Sequence, residues 1–154
     1  MQYEKVRELF LHHLTWSGVD GAKAHEIYHD DAVLEFPQSG ERFVGKANMQ
    51  GFRERYPVAQ VDFEPREIRG SGDVWVAEGR VLYEGGNPHH YVWIAEFRDG
   101  LVQRETIYFA APFEAPEWRR PWAEQGATFQ RQDGLPALVR AGGRPRRPAA
   151  GAAG

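Results

Sequence analysis

Charged side chains at strand spacing supply the residue types that acid/base chemistry needs. Glu78 and Arg80 are two residues apart in an apolar-rich segment, so they share one face if that segment is a strand. Glu105 provides a second carboxylate in a later segment of the same kind. Two carboxylates beside an arginine can divide into an acid and a base, because burial raises a carboxyl pKa while a nearby cation lowers it. The alternative is a cross-strand ion-pair network on a solvated sheet face.

Other chemical motifs are missing from the sequence. The histidines follow no close ligand spacing such as HExxH, which predicts that the chain holds no metal. No glycine-rich loop with a following lysine precedes a helix, and no nucleophile elbow is present, so we expect no cofactor and no serine nucleophile. The histidines are His12, His13, His25, His29, His89 and His90.

The elements that must position these residues form two groups. Helical spacing predicts helices over 3–16, 22–28 and 47–56, and strand spacing predicts strands over 32–36, 41–44, 60–69, 74–84, 89–98 and 101–110. Asp99-Gly100 predicts a type I′ hairpin between the last two strands. Helices near the start and a β-meander near the end indicate an α+β class with helices on one face of a bent sheet.

Composition sets the broad class of the protein. The chain has 154 residues and no cysteine, and 42% of its residues are hydrophobic, which predicts one domain without disulfides. An acidic body disfavours nucleic acid, and the absence of a long apolar run disfavours a membrane or export signal, so we expect a cytoplasmic protein. We predict a domain over 1–129 that includes a Pro/Trp-rich arm (111–124) lying against it, and a disordered Ala/Gly/Pro/Arg-rich tail over 130–154.

Several local motifs together resemble the SnoaL-like, nuclear transport factor 2-like superfamily. They are the run YHDDAVLEFP over 28–37, Gly45 before a helix, and FRDGLV over 97–102 leading into Tyr108-Phe109. Members include ketosteroid isomerase, limonene-epoxide hydrolase and polyketide cyclases. The resemblance implies a cone-shaped domain whose curved, mixed or antiparallel sheet wraps three helices around an apolar pocket. It also implies a homodimer and a small apolar ligand.

The catalytic residues of those enzymes do not transfer directly. The position of the isomerase base is Phe36 here, and that of its oxyanion-hole acid is Trp93 or Ala95. The position of a catalytic aspartate of the hydrolase is Ile107. The resemblance also implies an aromatic pocket wall that selects a flat or alicyclic ligand. Its candidate ligand contacts are Trp16, Tyr28, Phe36, Trp93, Ile107 and Phe109.

Family matching turns Val76, Glu78, Arg80 and Leu82 of one strand toward the pocket, and Gln103, Glu105, Ile107 and Phe109 of the last strand as well. The hypothesis is then that Glu105 is the acid or base, Glu78 its partner, and Arg80 the group that orients both. A regular hairpin would pair Ile94 with Glu105 and turn Trp93 to the opposite face. Both face inward only if a β-bulge resets the last strand.

A histidine on the first helix is the remaining catalytic candidate. The isomerase's oxyanion-hole tyrosine aligns with His12, which could donate a hydrogen bond or shuttle a proton, whereas the amphipathic pattern turns His13 inward. Three functions are open. The first is a cofactor-free isomerase, cyclase or hydrolase, the second a homodimeric ligand-binding protein, and the third an interaction module that uses the arm and tail.

Overall fold

The computed structural model describes residues 1–56, 61–84, 86–124 and 130–140. Its helices are α1 (Tyr3–Trp16), α2 (Gly21–Ala24), α3 (Lys46–Glu54) and a short 3-10 helix (Glu117–Trp122). Its strands are β1 (Tyr28–Phe36), β2 (Glu41–Val44), β3 (Val61–Ser71), β4 (Val74–Tyr83), β5 (His89–Arg98), β6 (Leu101–Ala110) and β7 (Val139–Arg140). None of the helices in the described part of the chain has the length and hydropathy of a membrane-spanning helix.

All seven strands belong to one curved, unclosed sheet, in the order β2-β1-β6-β5-β4-β3-β7. Every neighbouring pair is antiparallel except β1 with β6, which run parallel. The helices cover the inner face of this sheet. Helix α1 buries one apolar stripe, made of Val6, Leu9, Phe10 and Leu14, which is the spacing that its sequence pattern predicts. The predicted α+β class and the cone architecture are confirmed.

The β5–β6 hairpin contains a β-bulge, and this bulge determines which face of the sheet the Glu105 side chain points to. Asp99 and Gly100 both have positive φ, at 48° and 81°, as a type I′ turn requires. Phe97 pairs with Val102, but Glu96 pairs with Arg104, which leaves Gln103 as an extra residue on β6. This β-bulge pairs Glu105 with Ala95 instead of Ile94 and thereby turns its side chain into the cone.

The first strand is longer than its sequence predicts. Helix α2 ends at Ala24, and β1 begins at Tyr28, which the periodicity assigns to the helix. The Tyr28 ring is almost fully buried against the core, so packing outweighs the local helical pattern.

The prediction of a disordered tail from residue 130 is wrong for residues 130–140. The Gln132 amide donates to the Arg66 carbonyl at 2.8 Å, and its side-chain oxygen accepts from the Ile68 amide at 2.9 Å. Leu135 and Val139 are buried, so this segment gains the apolar contacts that offset the entropy of ordering it. Residues 141–154 lie outside the described part of the chain.

The predicted arm does not lie against the domain. Its largest side chains are exposed: Phe113 by 79%, Trp118 by 74% and Trp122 by 82%. The arm makes local contacts, in which the Arg120 guanidinium lies 2.9 Å from the Glu117 carboxylate. Its three prolines, Pro112, Pro116 and Pro121, have no backbone N–H to donate, which limits the regular structure that this segment can form.

Candidate active site

A deep pocket opens between the helices and the inner face of the sheet. Its volume is about 940 Å³, which is enough for a multi-ring organic molecule. Aromatic side chains make up much of its wall, and polar groups from the helices gather beside Trp93 of β5 and Glu105 of β6. The apolar and aromatic part of the wall is Phe10, Leu14, Val19, Ala24, Phe36, Phe52, Tyr56, Val61, Phe63, Val81, Tyr83, Tyr91, Trp93, Ile107 and Phe109.

The polar end is built on Glu105, whose side chain has no exposed surface. Its Oε2 accepts hydrogen bonds from the Trp93 indole N–H at 2.6 Å and from the Tyr28 hydroxyl at 2.8 Å. Its Oε1 accepts from Arg53 Nη2 at 2.6 Å. Three donors from β1, β5 and α3 therefore meet one carboxylate, which fixes their positions relative to one another.

The charge of this carboxylate is maintained by its partners. Burial alone would raise the pKa of the Glu105 carboxyl, but the Arg53 charge, together with the hydrogen bonds from Trp93 and Tyr28, outweighs burial and lowers it. Burial also disfavours the charged form of Arg53, yet the neighbouring Tyr28 and Glu105 raise its pKa. Glu105 and Arg53 thus form an ion pair at neutral pH, with 2.6 Å between Oε1 and Nη2.

Two histidines complete the polar end in their neutral form. Burial and then the nearby charge of Arg53 lower the pKa of His13 to about 3 and lower that of His25 as well. Each ring lies 2.7 Å through Nδ1 from a backbone carbonyl, Ala24 for His13 and Gly21 for His25. A carbonyl only accepts, so Nδ1 carries the proton and Nε2 has the lone pair in both rings. His25 Nε2 accepts from Arg53 Nη1 at 3.1 Å.

His13 therefore presents a chemically available nitrogen. The ring lines the pocket and packs edge-on against His25 and Tyr28, with centroids 5.8 and 5.5 Å away. These contacts, with the bond from Nδ1, hold the ring in one orientation. Its Nε2 lone pair can accept a proton or a hydrogen bond from a ligand, and the Arg53 guanidinium nearby can donate to an oxygen of the same ligand.

The structure places the sequence-predicted residues in three groups. Phe36, Trp93, Ile107 and Phe109 line the pocket. Glu105 and Tyr28 lie directly behind its wall, joined by a hydrogen bond. The remaining predicted residues, Glu78, Arg80, His12 and Trp16, lie outside the pocket wall.

The predicted inward facing of Glu78 and Arg80 is wrong. Trp75, Ala77, Gly79 and Val81 are the buried residues of β4, so Glu78 and Arg80 point to the other face of the sheet. The Glu78 carboxylate lies 2.9 Å from Arg69 Nη2 and 3.8 Å from Arg66 Nη1. Arg80 Nε donates to Glu64 at 2.9 Å. Apolar residues occupy both sets of positions in β4, but both charged side chains sit at even positions, so burying the odd set while solvating the charges fixes this phase.

The predicted roles of His12 and Trp16 are also corrected. His12 Nε2 lies 2.8 Å from the Lys23 carbonyl oxygen and 3.0 Å from the Glu26 carboxylate, on the outer side of α1. The Trp16 ring lies beneath the Lys23 ammonium, 4.1 Å from its centroid, instead of in the pocket wall. His13, one residue further along the helix, occupies the inward position that the amphipathic pattern indicates.

Sequence reasoning missed Arg53 and His25. Arg53 follows the fully buried Met49 by four residues on α3, so both lie on one helix face. That spacing could have identified Arg53, although its neighbours Glu54 and Arg55 make the stretch charged, which is typical of a solvated face. The described residues contain no cluster of three or more histidine or acidic side chains that could hold a metal ion.

Comparisons with known proteins agree with this architecture. A family model described as a SnoaL-like domain matches residues 6–105, and the chain belongs to this family. Among solved structures it is similar to an NTF2-like protein of unknown function from Burkholderia xenovorans LB400. The two share 43% identity over 82% of this chain and 99% of that chain, with a TM-score of 0.73.

Two further solved structures carry functional names. A candidate ketosteroid isomerase from Kribbella flavida DSM 17836 is 25% identical over 83% of this chain and 95% of its own, with a TM-score of 0.72. A candidate polyketide cyclase from Sinorhizobium meliloti is 22% identical over 70% of this chain and 100% of its own, with a TM-score of 0.57, and that likeness concerns the fold. No match to the chain is found among curated proteins.

Proposed function

We propose that this SnoaL-like protein is a small-molecule enzyme that performs acid/base chemistry on a largely apolar ligand without a cofactor. The observation that carries the proposal is the His13 Nε2 lone pair at the wall of an apolar pocket, beside the guanidinium of Arg53. Isomerisation, cyclisation and hydrolysis all need these two functions, a proton acceptor and a stabiliser of negative charge on oxygen.

The proposed step couples proton transfer to charge development. His13 Nε2 takes a proton from a ligand hydroxyl, from a carbon next to a carbonyl, or from an attacking water. When the proton comes from a ligand hydroxyl, the electron pair stays on that oxygen. When it comes from a carbon next to a carbonyl, the pair forms the C=C bond of an enolate and the carbonyl π pair moves onto its oxygen. When it comes from water, the water oxygen bonds to the carbonyl carbon and the π pair moves onto the carbonyl oxygen. In each case a ligand oxygen gains negative charge within reach of the Arg53 N–H groups. That charge offsets the Arg53 cation, one of the causes that lower the His13 pKa, so the imidazolium becomes more favourable as the reaction proceeds.

Glu105 has a positioning role in this proposal. It is fully covered, and both oxygens already accept hydrogen bonds, so it acts on the ligand through Arg53. The hypothesis of Glu105 as the acid or base is accordingly replaced by His13 and Arg53. A homodimer and a small apolar ligand remain part of the proposal.

The test compares adjacent histidines. The wild type, His13→Gln and His12→Gln are incubated with apolar epoxides, lactones, cyclic ketones and polyketide-like aromatics, and conversion is followed by liquid chromatography with mass spectrometry. We expect conversion of one class, loss of about 10²–10⁴-fold in kcat/KM for His13→Gln, and retention for His12→Gln. Equal losses in both variants, or no change in either, would contradict the role of His13.

The second candidate is a ligand-binding protein with the same pocket. The covered position of Glu105 favours it, because an ion pair behind the wall also suits simple hydrogen bonding to a ligand. Compounds that raise the melting temperature of the wild type but are never converted would support this alternative, since ligand at about 100 times its Kd adds about 2.7 kcal/mol of stability.

A further inference from the structure

The polar end of the pocket contains a cation whose charge is already compensated. Arg53 Nη2 lies 2.6 Å from Glu105, and a ligand cannot replace this carboxylate because it has no exposed surface and two other donors hold it. The hydrogen bonds from Arg53 to His25, Tyr28 and Glu105 use three of its five N–H groups. Arg53 therefore offers donors to a ligand without an uncompensated positive charge.

The groups around Arg53 oppose a ligand that arrives with a negative charge of its own, which no proton on His13 balances. His13 turns a lone pair toward the pocket, and that lone pair repels a carboxylate oxygen but accepts from a hydroxyl. Glu54 lies at the exposed rim of the same pocket, where it accepts a hydrogen bond from Gln50 at 2.8 Å. An anionic ligand would thus lose its hydration to enter a site whose net charge is zero or negative.

A single hydroxyl group matches this arrangement. Its O–H can donate to His13 Nε2 while its oxygen accepts from an unused N–H of Arg53, and the apolar wall receives the rest of the molecule. An ether provides the acceptor alone, and a carboxylate provides acceptors together with a charge.

We infer that this pocket selects neutral, largely apolar ligands that carry a hydroxyl group, such as phenols, enols and cyclic alcohols, that it rejects carboxylates, and that Glu105 sets this charge selectivity. The inference rests on the proposed function only in placing the ligand's oxygen at His13 and Arg53.

Three probes with one ring system test the inference on the wild type. Binding of 2-naphthol, 2-methoxynaphthalene and 2-naphthoate is measured by isothermal titration calorimetry near neutral pH, where only the naphthoate is charged. We expect 2-naphthol to bind about tenfold more tightly than the ether, because one hydrogen bond is lost, and 2-naphthoate to bind at least tenfold more weakly than 2-naphthol. Naphthoate binding equal to or tighter than that of naphthol overturns the inference, as does the absence of naphthol binding.

A charge-removal series tests the role of Glu105. Glu105→Gln leaves Arg53 uncompensated, so we expect naphthoate affinity to rise about tenfold or more relative to the wild type. Glu78→Gln removes one negative charge from the far face of the sheet and should leave all three affinities unchanged. The double variant Arg53→Met with Glu105→Gln should lose the gain in naphthoate affinity. If Glu105→Gln does not fold, the double variant and the order of the three affinities for the wild type decide. Neither protein contains an uncompensated cation at this site, so both must reject naphthoate.

The outcome separates this inference from the proposed enzyme. Selective naphthol binding without conversion of any compound by the wild type supports the charge selectivity and contradicts the enzyme. Conversion of a carboxylate substrate that depends on His13 supports the enzyme and contradicts the selectivity.

Discussion

A buried ion pair in this protein acts as a framework for uncharged groups. Glu105 and Arg53 are the charged members, and they hold His25, Tyr28 and Trp93 by hydrogen bonds of 2.6–3.3 Å. Breaking such a pair leaves a buried charge without its partner, at a cost of about 3–5 kcal/mol. Beside this pair, burial and the Arg53 charge lower the pKa of His13 and keep its ring neutral.

His13 gives a pH prediction with a defined sign. The pKa of its ring is lowered from the ordinary histidine value of 6.5 to about 3 in the folded chain, because burial and then Arg53 disfavour the charged ring. Between these values the unfolded chain binds a proton that the folded chain excludes. Stability should therefore fall as the pH drops below about 6.5, by up to about 1.4 kcal/mol per pH unit from this residue, with no such loss above it.

Urea unfolding of the wild type and His13→Gln at several pH values between about 7 and 5 measures this effect. The variant should show a shallower decline, although not a flat one, because the pKa of His25 is also lowered. Leu14→Ala is the control, since it creates a cavity in the same helix without removing a titratable group. Identical slopes for His13→Gln and the wild type would contradict the prediction.

At the scale of elements, glycines in α3 and β4 have opposite surroundings. A Cβ at Gly51, on the exposed side of α3, meets no atom within 4 Å, whereas a Cβ at Gly79 would lie 2.4 Å from the Glu64 carbonyl oxygen and 2.4 Å from the Tyr91 hydroxyl. Gly79 thus allows β3, β4 and the Tyr91 ring to approach one another closely.

We expect Gly51→Ala to raise the free energy of unfolding by about 0.5–1 kcal/mol, because alanine restricts the unfolded chain and favours the helix. Gly79→Ala should lower it by about 1–3 kcal/mol, because strand backbone must move to relieve the contact. Thermal and urea unfolding of both variants compare the two effects directly. Equal changes of the same sign would show that backbone entropy, not the contact at Gly79, governs both positions.

Elements are more predictable from sequence than the side chains that face the pocket. Strand and helix positions depend on local periodicity and turn residues, and the Asp99-Gly100 turn is readable from two letters. Arg53 joins Glu105 only through the packing of α3 on the sheet, across 52 positions of sequence. The predicted phase of β4 is wrong by one residue, although its apolar alternation contains the answer in Trp75, Ala77 and Val81.

For the whole molecule, two segments that follow the sheet differ in burial: residues 130–140 pack against the core, whereas the arm (111–124) is exposed. The matched family region ends at residue 105, yet Leu135 and Val139 are buried beyond it, whereas Phe113 is exposed. Composition alone groups residues 130–140 with a disordered tail, because two apolar anchors in a Gly/Pro/Arg-rich stretch carry little statistical weight.

Leu135→Ala should lower the free energy of unfolding by about 2–4 kcal/mol through the cavity it leaves. Phe113→Ala removes a larger side chain from solvent-exposed surface, so it should change stability by no more than about 0.5 kcal/mol. Chemical denaturation of both full-length variants makes the comparison. A loss for Phe113→Ala as large as that for Leu135→Ala would mean that the arm is covered in solution, as a contact with a second copy would require.

The bulge at Gln103 has a consequence for transferring residue roles between relatives. One extra residue decides which half of the later β6 side chains faces the inside of the cone. A relative without this bulge would build the same wall from residues shifted by one alignment column. An ungapped comparison would then assign the function of Glu105 to a neighbour that faces solvent. Residues of relatives should therefore be matched by their strand partners, beginning with the pairing of Glu105 with Ala95.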